Sequence, residues 1–210
     1  MNSSLSNIVT PLLNWYHTYA RTLPWRQSPS AYHIWVSEIM LQQTRVEAVK
    51  AYYNRFTAEL PTIADLAACQ EEKLLKLWEG LGYYNRVRNM QKAAIQVMTQ
   101  YHGEMPHSYE ELLKLPGIGS YTAGAVASIA YGIPVPAVDG NVLRVITRMT
   151  ANYGDITKQN TKDEITKQLQ AIMPKQHAGD FNQALMELGA TVCIPNGEPQ
   201  CFVCPVQTYC

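Results

Sequence analysis

Neither sign of charge is in excess in this chain of 210 residues: 17 Lys and Arg stand against 17 Asp and Glu. A neutral balance counts against the basic surface that nucleic-acid binders usually carry. It leaves room only for a local basic face, with Arg86 and Arg88, or Arg144 and Arg148, as candidates. No apolar stretch is long enough to cross a bilayer, and no basic segment leads into an apolar run at the N-terminus, which argues against a membrane span and a secretory signal. A cytoplasmic setting is therefore expected, in which cysteines stay thiols or bind metal. Internal repeats and low-complexity tracts are missing as well. So are strand patterns: the one β-like run, 133–138, contains Pro134 and Pro136 and reads as a loop.

What is present is helical periodicity. Ile8, Leu12, Trp15, Tyr16 and Tyr19 recur at helical spacing up to Leu23-Pro24. After a loop at 28–30, Tyr32 to Phe56 reads as one or two helices. Thr62 with Asp65, and Ser108 with Glu111, fit the capping-box pattern and start helices near 63–79 and 109–114. Further helices are expected at 86–101, 161–173 and 180–188. The pattern predicts an all-α protein of many short helices.

The densest signal lies at 115–141, LPGIGSYTAGAVASIAYGIPVPAVDGN. Gly117 and Gly119 flank a turn that opens into an apolar helix of small residues, 122–130. Such a turn leaves backbone N–H groups at a helix N-terminus, where the helix dipole favours a phosphate. An ordinary tight turn would look the same. Asp139 follows in a loop, either as a turn residue or as a carboxylate close to a bound backbone. Glu38 is a second carboxylate, set in the apolar stretch WVSEIMLQQT (35–44). A surface or helix-pairing glutamate is the bland alternative; apolar surroundings would raise its pKa and suit it to general acid work. Two carboxylates of this kind divide the labour of glycoside hydrolysis, one protonating the leaving group and one facing a cationic sugar.

Four of the five cysteines crowd the C-terminus as C-x7-C-x2-C-x5-C: Cys193, Cys201, Cys204 and Cys210. Thiolate ligands in this number select zinc or an iron–sulfur cluster, and the spacing alone does not separate the two. A zinc ribbon would normally show two CxxC pairs, and this chain has one. Cys69 falls in an expected helix and reads as a small core residue.

The blocks LPWR (23–26), SEIMLQQT (37–44), GLGYYNRVRN (80–89), LPGIGSYTAGAVAS (115–128), VDGNVLRV (138–145) and FNQALMELGA (181–190), with the four cysteines, run through most of the chain. Together they resemble the catalytic part of the MutY family of A/G-mismatch adenine DNA glycosylases, within the helix-hairpin-helix superfamily that includes endonuclease III. The resemblance implies two helical lobes, 25–134 and 1–24 with 135–210, and a C-terminal iron–sulfur cluster loop. It implies that Glu38 protonates adenine and activates water, and that Asp139 stabilises the sugar cation. Tyr121 and Asn141 would be active-site partners, and Arg26 and Gln183 would surround the extruded adenine. Gln43 and Tyr83 would probe the opposite base and wedge the duplex, while Gly117 and Gly119 hold backbone phosphate. Cys193, Cys201, Cys204 and Cys210 would ligate a 4Fe–4S cluster.

The partner implied is double-stranded DNA with adenine opposite 8-oxoguanine or guanine, bound by a monomer. Two features depart from the family. The first cysteine spacing is one residue longer than usual, with Asn196-Gly197 or Pro199 placed to absorb it, and a C-terminal NUDIX-like lesion-recognition domain is expected to be absent. The residues leave two other readings open. An endonuclease III-like glycosylase/lyase would need an amine nucleophile where Tyr121 stands. A non-catalytic lesion-binding module would not need both Glu38 and Asp139.

Overall fold

The computed structural model describes residues 3–27 and 29–210; Met1, Asn2 and Ser28, the last in the loop expected at 28–30, lie outside the described residues. The described chain is helical, with no strand. Its helices are α1 (Ser3–Ser6), α2 (Val9–Tyr19), α3 (Pro24–Gln27), α4 (Ala31–Leu41), α5 (Val46–Glu59), α6 (Ile63–Ala68), α7 (Glu71–Trp78), α8 (Asn85–Gln100), α9 (Tyr109–Leu112), α10 (Ser120–Tyr131), α11 (Gly140–Met149), α12 (Gln159–Gln170) and α13 (Ala178–Thr191). Two 3-10 turns, Cys201–Val203 and Gln207–Tyr209, close the chain. No described helix is long and apolar enough to cross a membrane. The chain divides into two compact units, 22–131 and 1–21 with 132–210.

In the unit 22–131, α4 packs against α10. The reason is legible in composition: Thr122 to Ser128 of α10 are small and all buried, so the helix axes can approach closely. Helix α4 buries Tyr32, Ile34, Trp35, Val36, Ser37, Glu38, Ile39 and Met40, almost its whole circumference. Ser30 caps it by accepting the His33 N–H. Helix α6 packs on α8, and Thr62 and Asp65 form a reciprocal capping box at its start. At α9 only half of the expected box forms. Ser108 Oγ accepts the Glu111 N–H, but the Glu111 carboxylate turns to the Tyr101 hydroxyl and the Lys114 ammonium. The segment expected as helix near 63–79 breaks at Cys69-Gln70, where Cys69 caps α6. Cys69 is therefore a half-buried helix cap with extended backbone and not a core residue, and burial pushes its thiol pKa up.

In the unit formed by 1–21 and 132–210, Ile8, Leu12 and Tyr16 of the N-terminal segment pack with Val142, Val145 and Ile146 of α11 and with Phe181, Leu185 and Leu188 of α13. An ion pair fixes the end of the N-terminal segment to α13. Arg21 Nε and Nη2 donate to the two oxygens of Glu187 at 2.6 and 3.1 Å, and the Arg21 N–H adds a third bond at 3.2 Å. Residues 132–139 form no regular element. Their course is held instead by Asn182, whose carboxamide accepts the Ala137 N–H at 3.0 Å and donates to the Val135 carbonyl at 2.9 Å. One side chain thus replaces a strand partner and delivers the chain to α11.

Candidate active site and cysteine loop

Glu38 lies on the last turns of α4 and is 6% exposed. The Tyr121 hydroxyl, from the first turn of α10, donates to its Oε2. The packing of α4 on α10 is what brings these residues together across 83 positions of sequence. A carboxyl out of water, with one oxygen oriented by a phenol, is a group that can hold or move a proton at a defined position.

The hairpin ahead of α10 is asymmetric in what it asks of its glycines. Gly117 sits at φ +77, and a Cβ there would stand 2.8 Å from Asn89 Cβ, so both backbone and packing require glycine. Gly119 has neither constraint: nothing lies within 4 Å of a Cβ built there. It immediately precedes α10, whose first N–H groups lack intrahelical acceptors.

Gln43 and Tyr83 occupy two exposed loop tips with left-handed backbone, at φ 58 and 47. Arg26 is half-buried on α3 beside the buried Trp25. Gln183 is half-buried on α13, next to Asn182.

Asp139 caps α11. Its Oδ1 accepts the Val142 N–H at 2.8 Å and its Oδ2 accepts Asn141 Nδ2 at 2.7 Å, which fixes the carboxylate plane. Asn141 is itself held by Arg144, whose Nη2 donates to Asn141 Oδ1 at 2.8 Å and to the Gly189 carbonyl at 2.7 Å. Arg144 Nε reaches the Cys193 carbonyl at 3.0 Å. Arg148 Nη1 donates to the carbonyls of Cys193 and Ile194 and to Cys193 Sγ, the last at 3.3 Å. Asp139 is thereby connected, through Asn141 and Arg144, to the first cysteine of the C-terminal group.

These contacts bear on the four arginines that are candidates for a basic face, of which Arg88 and Arg148 are exposed. Arg86, Arg144 and Arg148 are turned onto backbone carbonyls, and burial lowers the pKa of Arg86 and Arg144. Arg88 is engaged by Glu71 at 2.8 Å.

The cysteine loop is anchored to the core by Val206, 1% exposed. The long excursion from Cys193 to Cys201 is closed by a bond from the Gln200 N–H to the Val192 carbonyl at 3.0 Å, with Gly197 at φ 82 providing a left-handed turn in open space. Burial and the neighbouring cysteines push the thiols of Cys204 and Cys210 up, so bringing four thiolates together calls for a central cation. No three of the four sulfurs fall within 4.8 Å of one another; the described group that does is His17, His177 and Asp180. The Arg148 N–H on Cys193 Sγ fits an anionic sulfur ligand.

Sequence reasoning did not single out Asn182 or recognise the inward roles of Arg86 and Arg144. Their one signal was position inside the blocks FNQALMELGA, GLGYYNRVRN and VDGNVLRV.

Residues 36–175 match the family described as HhH-GPD superfamily base excision DNA repair protein. The chain is 46% identical over 208 residues to the adenine DNA glycosylase of Mus musculus and 45% identical to that of Homo sapiens, covering 95% of this chain but 40% and 38% of those proteins. It is 42% identical to the adenine DNA glycosylase of a Buchnera aphidicola strain, covering 56% of that protein. The chain thus spans about two fifths to just over half the length of these curated relatives. Among solved structures, a thermostable thymine-DNA glycosylase superposes with TM-score 0.88 at 27% identity, covering 100% of this chain and 96% of that one. A non-covalent endonuclease III–DNA complex superposes with TM-score 0.83 at 26% identity, covering 100% and 95%.

Proposed function

We infer the function from one premise: the chain belongs to the HhH-GPD superfamily of base excision DNA repair proteins. Within that family it acts as a monofunctional adenine DNA glycosylase on double-stranded DNA, removing adenine opposite 8-oxoguanine or guanine. The observation that carries this reading is Glu38, buried on α4 and oriented by the Tyr121 hydroxyl.

In the proposed mechanism adenine is rotated out of the duplex and Glu38 protonates a ring nitrogen. The glycosidic bond then breaks with its electron pair going to the protonated base. Asp139, its plane set by Asn141 Nδ2 and the Val142 N–H, stabilises the positive charge left on the sugar. Glu38, now a carboxylate, takes a proton from water, whose hydroxyl adds to the sugar carbon. The products are free adenine and an abasic site. Arg26 and Gln183 border the extruded base, Gln43 and Tyr83 enter the duplex, and Gly117 and Gly119 hold a phosphate.

Cys193, Cys201, Cys204 and Cys210 hold a 4Fe–4S cluster, which when bound cross-links the loop after α13. Strand cutting by a Schiff base needs an amine, and Tyr121 offers a phenol. The test is borohydride trapping on a duplex carrying adenine opposite 8-oxoguanine, with and without alkali. Base loss with strand breaks only after alkali and no trapped adduct is expected; a major covalent protein–DNA adduct would refute it.

A further inference from the structure

We propose that Arg86 is a positioning residue whose single guanidinium presets the two loop tips that present Gln43 and Tyr83 to the duplex. The inference rests on the glycosylase reading for what the tips touch, and on geometry for the clamp.

Both tips are held in backbone conformations that non-glycine residues rarely adopt. Gln43 is at φ 58, directly after the C-terminal residue that caps α4, and Tyr83 is at φ 47, directly after Gly82 at φ 68. Each such residue costs about 1 kcal/mol or more and persists only where its surroundings over-determine it. The exposed side chains do not do this: Tyr83 is 67% exposed. Arg86, in the first turn of α8, does. Its Nη1 donates to the carbonyls of Ile39 (2.9 Å), Met40 (3.4 Å) and Gln42, and its Nη2 to those of Leu81 (3.1 Å) and Gly82 (3.3 Å).

Ile39 and Met40 are among the last carbonyls of α4, which have no intrahelical donor. One arm of the fork therefore caps α4 from another helix and sets its exit into Gln43. The other arm grips the two residues ahead of Tyr83, and the Arg86 backbone N–H fixes the tip from the other side by donating to the Tyr83 carbonyl at 2.9 Å. Trp78 completes the clamp: its Nε1 donates to the Gly82 carbonyl at 3.0 Å, and the guanidinium lies 5.5 Å from the ring centroids of both Trp78 and Tyr83.

Burying this group also carries a cost. No carboxylate pairs with Arg86 among the described residues, and its Nε is buried without a partner, which carries a desolvation cost. What the guanidinium uniquely supplies is a planar fork whose arms point in two directions. Lysine offers one point charge and cannot bridge both loops.

The test is a double-mutant cycle joining Arg86→Lys, and Arg86→Gln as its stronger form, to the pair Gln43→Ala with Tyr83→Ala. Three readouts are taken: single-turnover adenine release, fluorescence of 2-aminopurine placed at the target adenine as a signal of base extrusion, and melting temperature. Residues coupled through one network lose additivity. Arg86→Lys is expected to lower release and the extrusion signal at least about tenfold in the parent protein, and by less than about threefold once Gln43 and Tyr83 are truncated. Its melting temperature should fall, as the loss of charged hydrogen bonds to carbonyls requires, but stay well above the assay temperature, which separates positioning from unfolding if Arg86→Gln does not fold. An undiminished loss on the truncated background, or parental release by Arg86→Lys, overturns the proposal.

A parent protein that releases no adenine would refute the glycosylase reading instead. The clamp is then read by hydrogen exchange of segments 39–44 and 81–84: Arg86→Lys should raise exchange in both together, and unchanged exchange in either overturns it.

Discussion

A single methyl group at position 189 should separate stability from activity. Gly189 on α13 faces Asn141 on α11 so closely that a Cβ would stand 2.6 Å from Asn141 Cβ, 3.1 Å from its Cα and 3.2 Å from its carbonyl oxygen. Ordinary carbon–carbon contact is about 3.5–4.0 Å, so the two helices must part by roughly 1 Å in Gly189→Ala. Overpacking of this kind costs about 1–3 kcal/mol. Alanine returns about 1 kcal/mol as the better helix former. The net loss is therefore about 0–2 kcal/mol, and at about 2–4 °C per kcal/mol for a chain of this size the melting temperature falls by no more than about 8 °C.

The functional loss should be far larger. Asn141 Nδ2 holds Asp139 Oδ2, and its own Oδ1 is held by Arg144, so moving Asn141 moves the carboxylate. A 1 Å misplacement costs on the order of 100-fold in rate. Thermal melting and single-turnover adenine release on the same preparation give both numbers. A variant that releases adenine within about threefold of the parent would refute the argument that Asn141 transmits position to Asp139.

Three further outcomes are expected. Gly119→Ala should cost no more than about 1 kcal/mol as a helix-cap change, because nothing in the fold opposes a Cβ there. It should nevertheless weaken duplex binding without altering the salt slope, since no charge is removed; a salt titration of binding checks this. Arg144→Lys should lose the fork that joins Asn141, Gly189 and Cys193, at about 1.5–3 kcal/mol for a hydrogen bond to a charged group. Both adenine release and the visible absorption of the reconstituted cluster would fall, and loss of neither would count against the connection. Glu187→Ala should destabilise by about 2–3 kcal/mol, below the full cost of breaking a buried pair because Arg21 is partly in water. Denaturant unfolding measures it; the carboxylate is 2% exposed and Arg21 37%.

Local pattern carried much of this molecule into view, and tertiary hydrogen bonding accounts for what it hid. The Thr62–Asp65 box and the small-residue helix α10 depend on neighbours in sequence, so periodicity and capping rules reach them. Ser108 and Glu111 fit the same rule, yet Tyr101 and Lys114 compete for the glutamate, and a three-residue pattern has no access to that competition. Arginines were the least readable. As sequence, Arg86 and Arg144 suggest a basic face; in the fold they serve carbonyls 44–49 residues away. Asn182 belongs to the same class, since its partners at Val135 and Ala137 are 45–47 residues away. The pairing of Glu38 with Tyr121 arises from packing between two helices that are each recognisable alone.

The central claim is that Glu38 and Asp139 do the chemistry. Its most direct test is single-turnover release of adenine, at saturating protein, from a duplex carrying adenine opposite 8-oxoguanine. The parent protein, Glu38→Gln and Asp139→Asn are compared. The account predicts release by the parent and a loss of about 100-fold or more in each variant, the scale of a positioned acid or base. Full release by both variants, with fold and duplex binding intact, would contradict it.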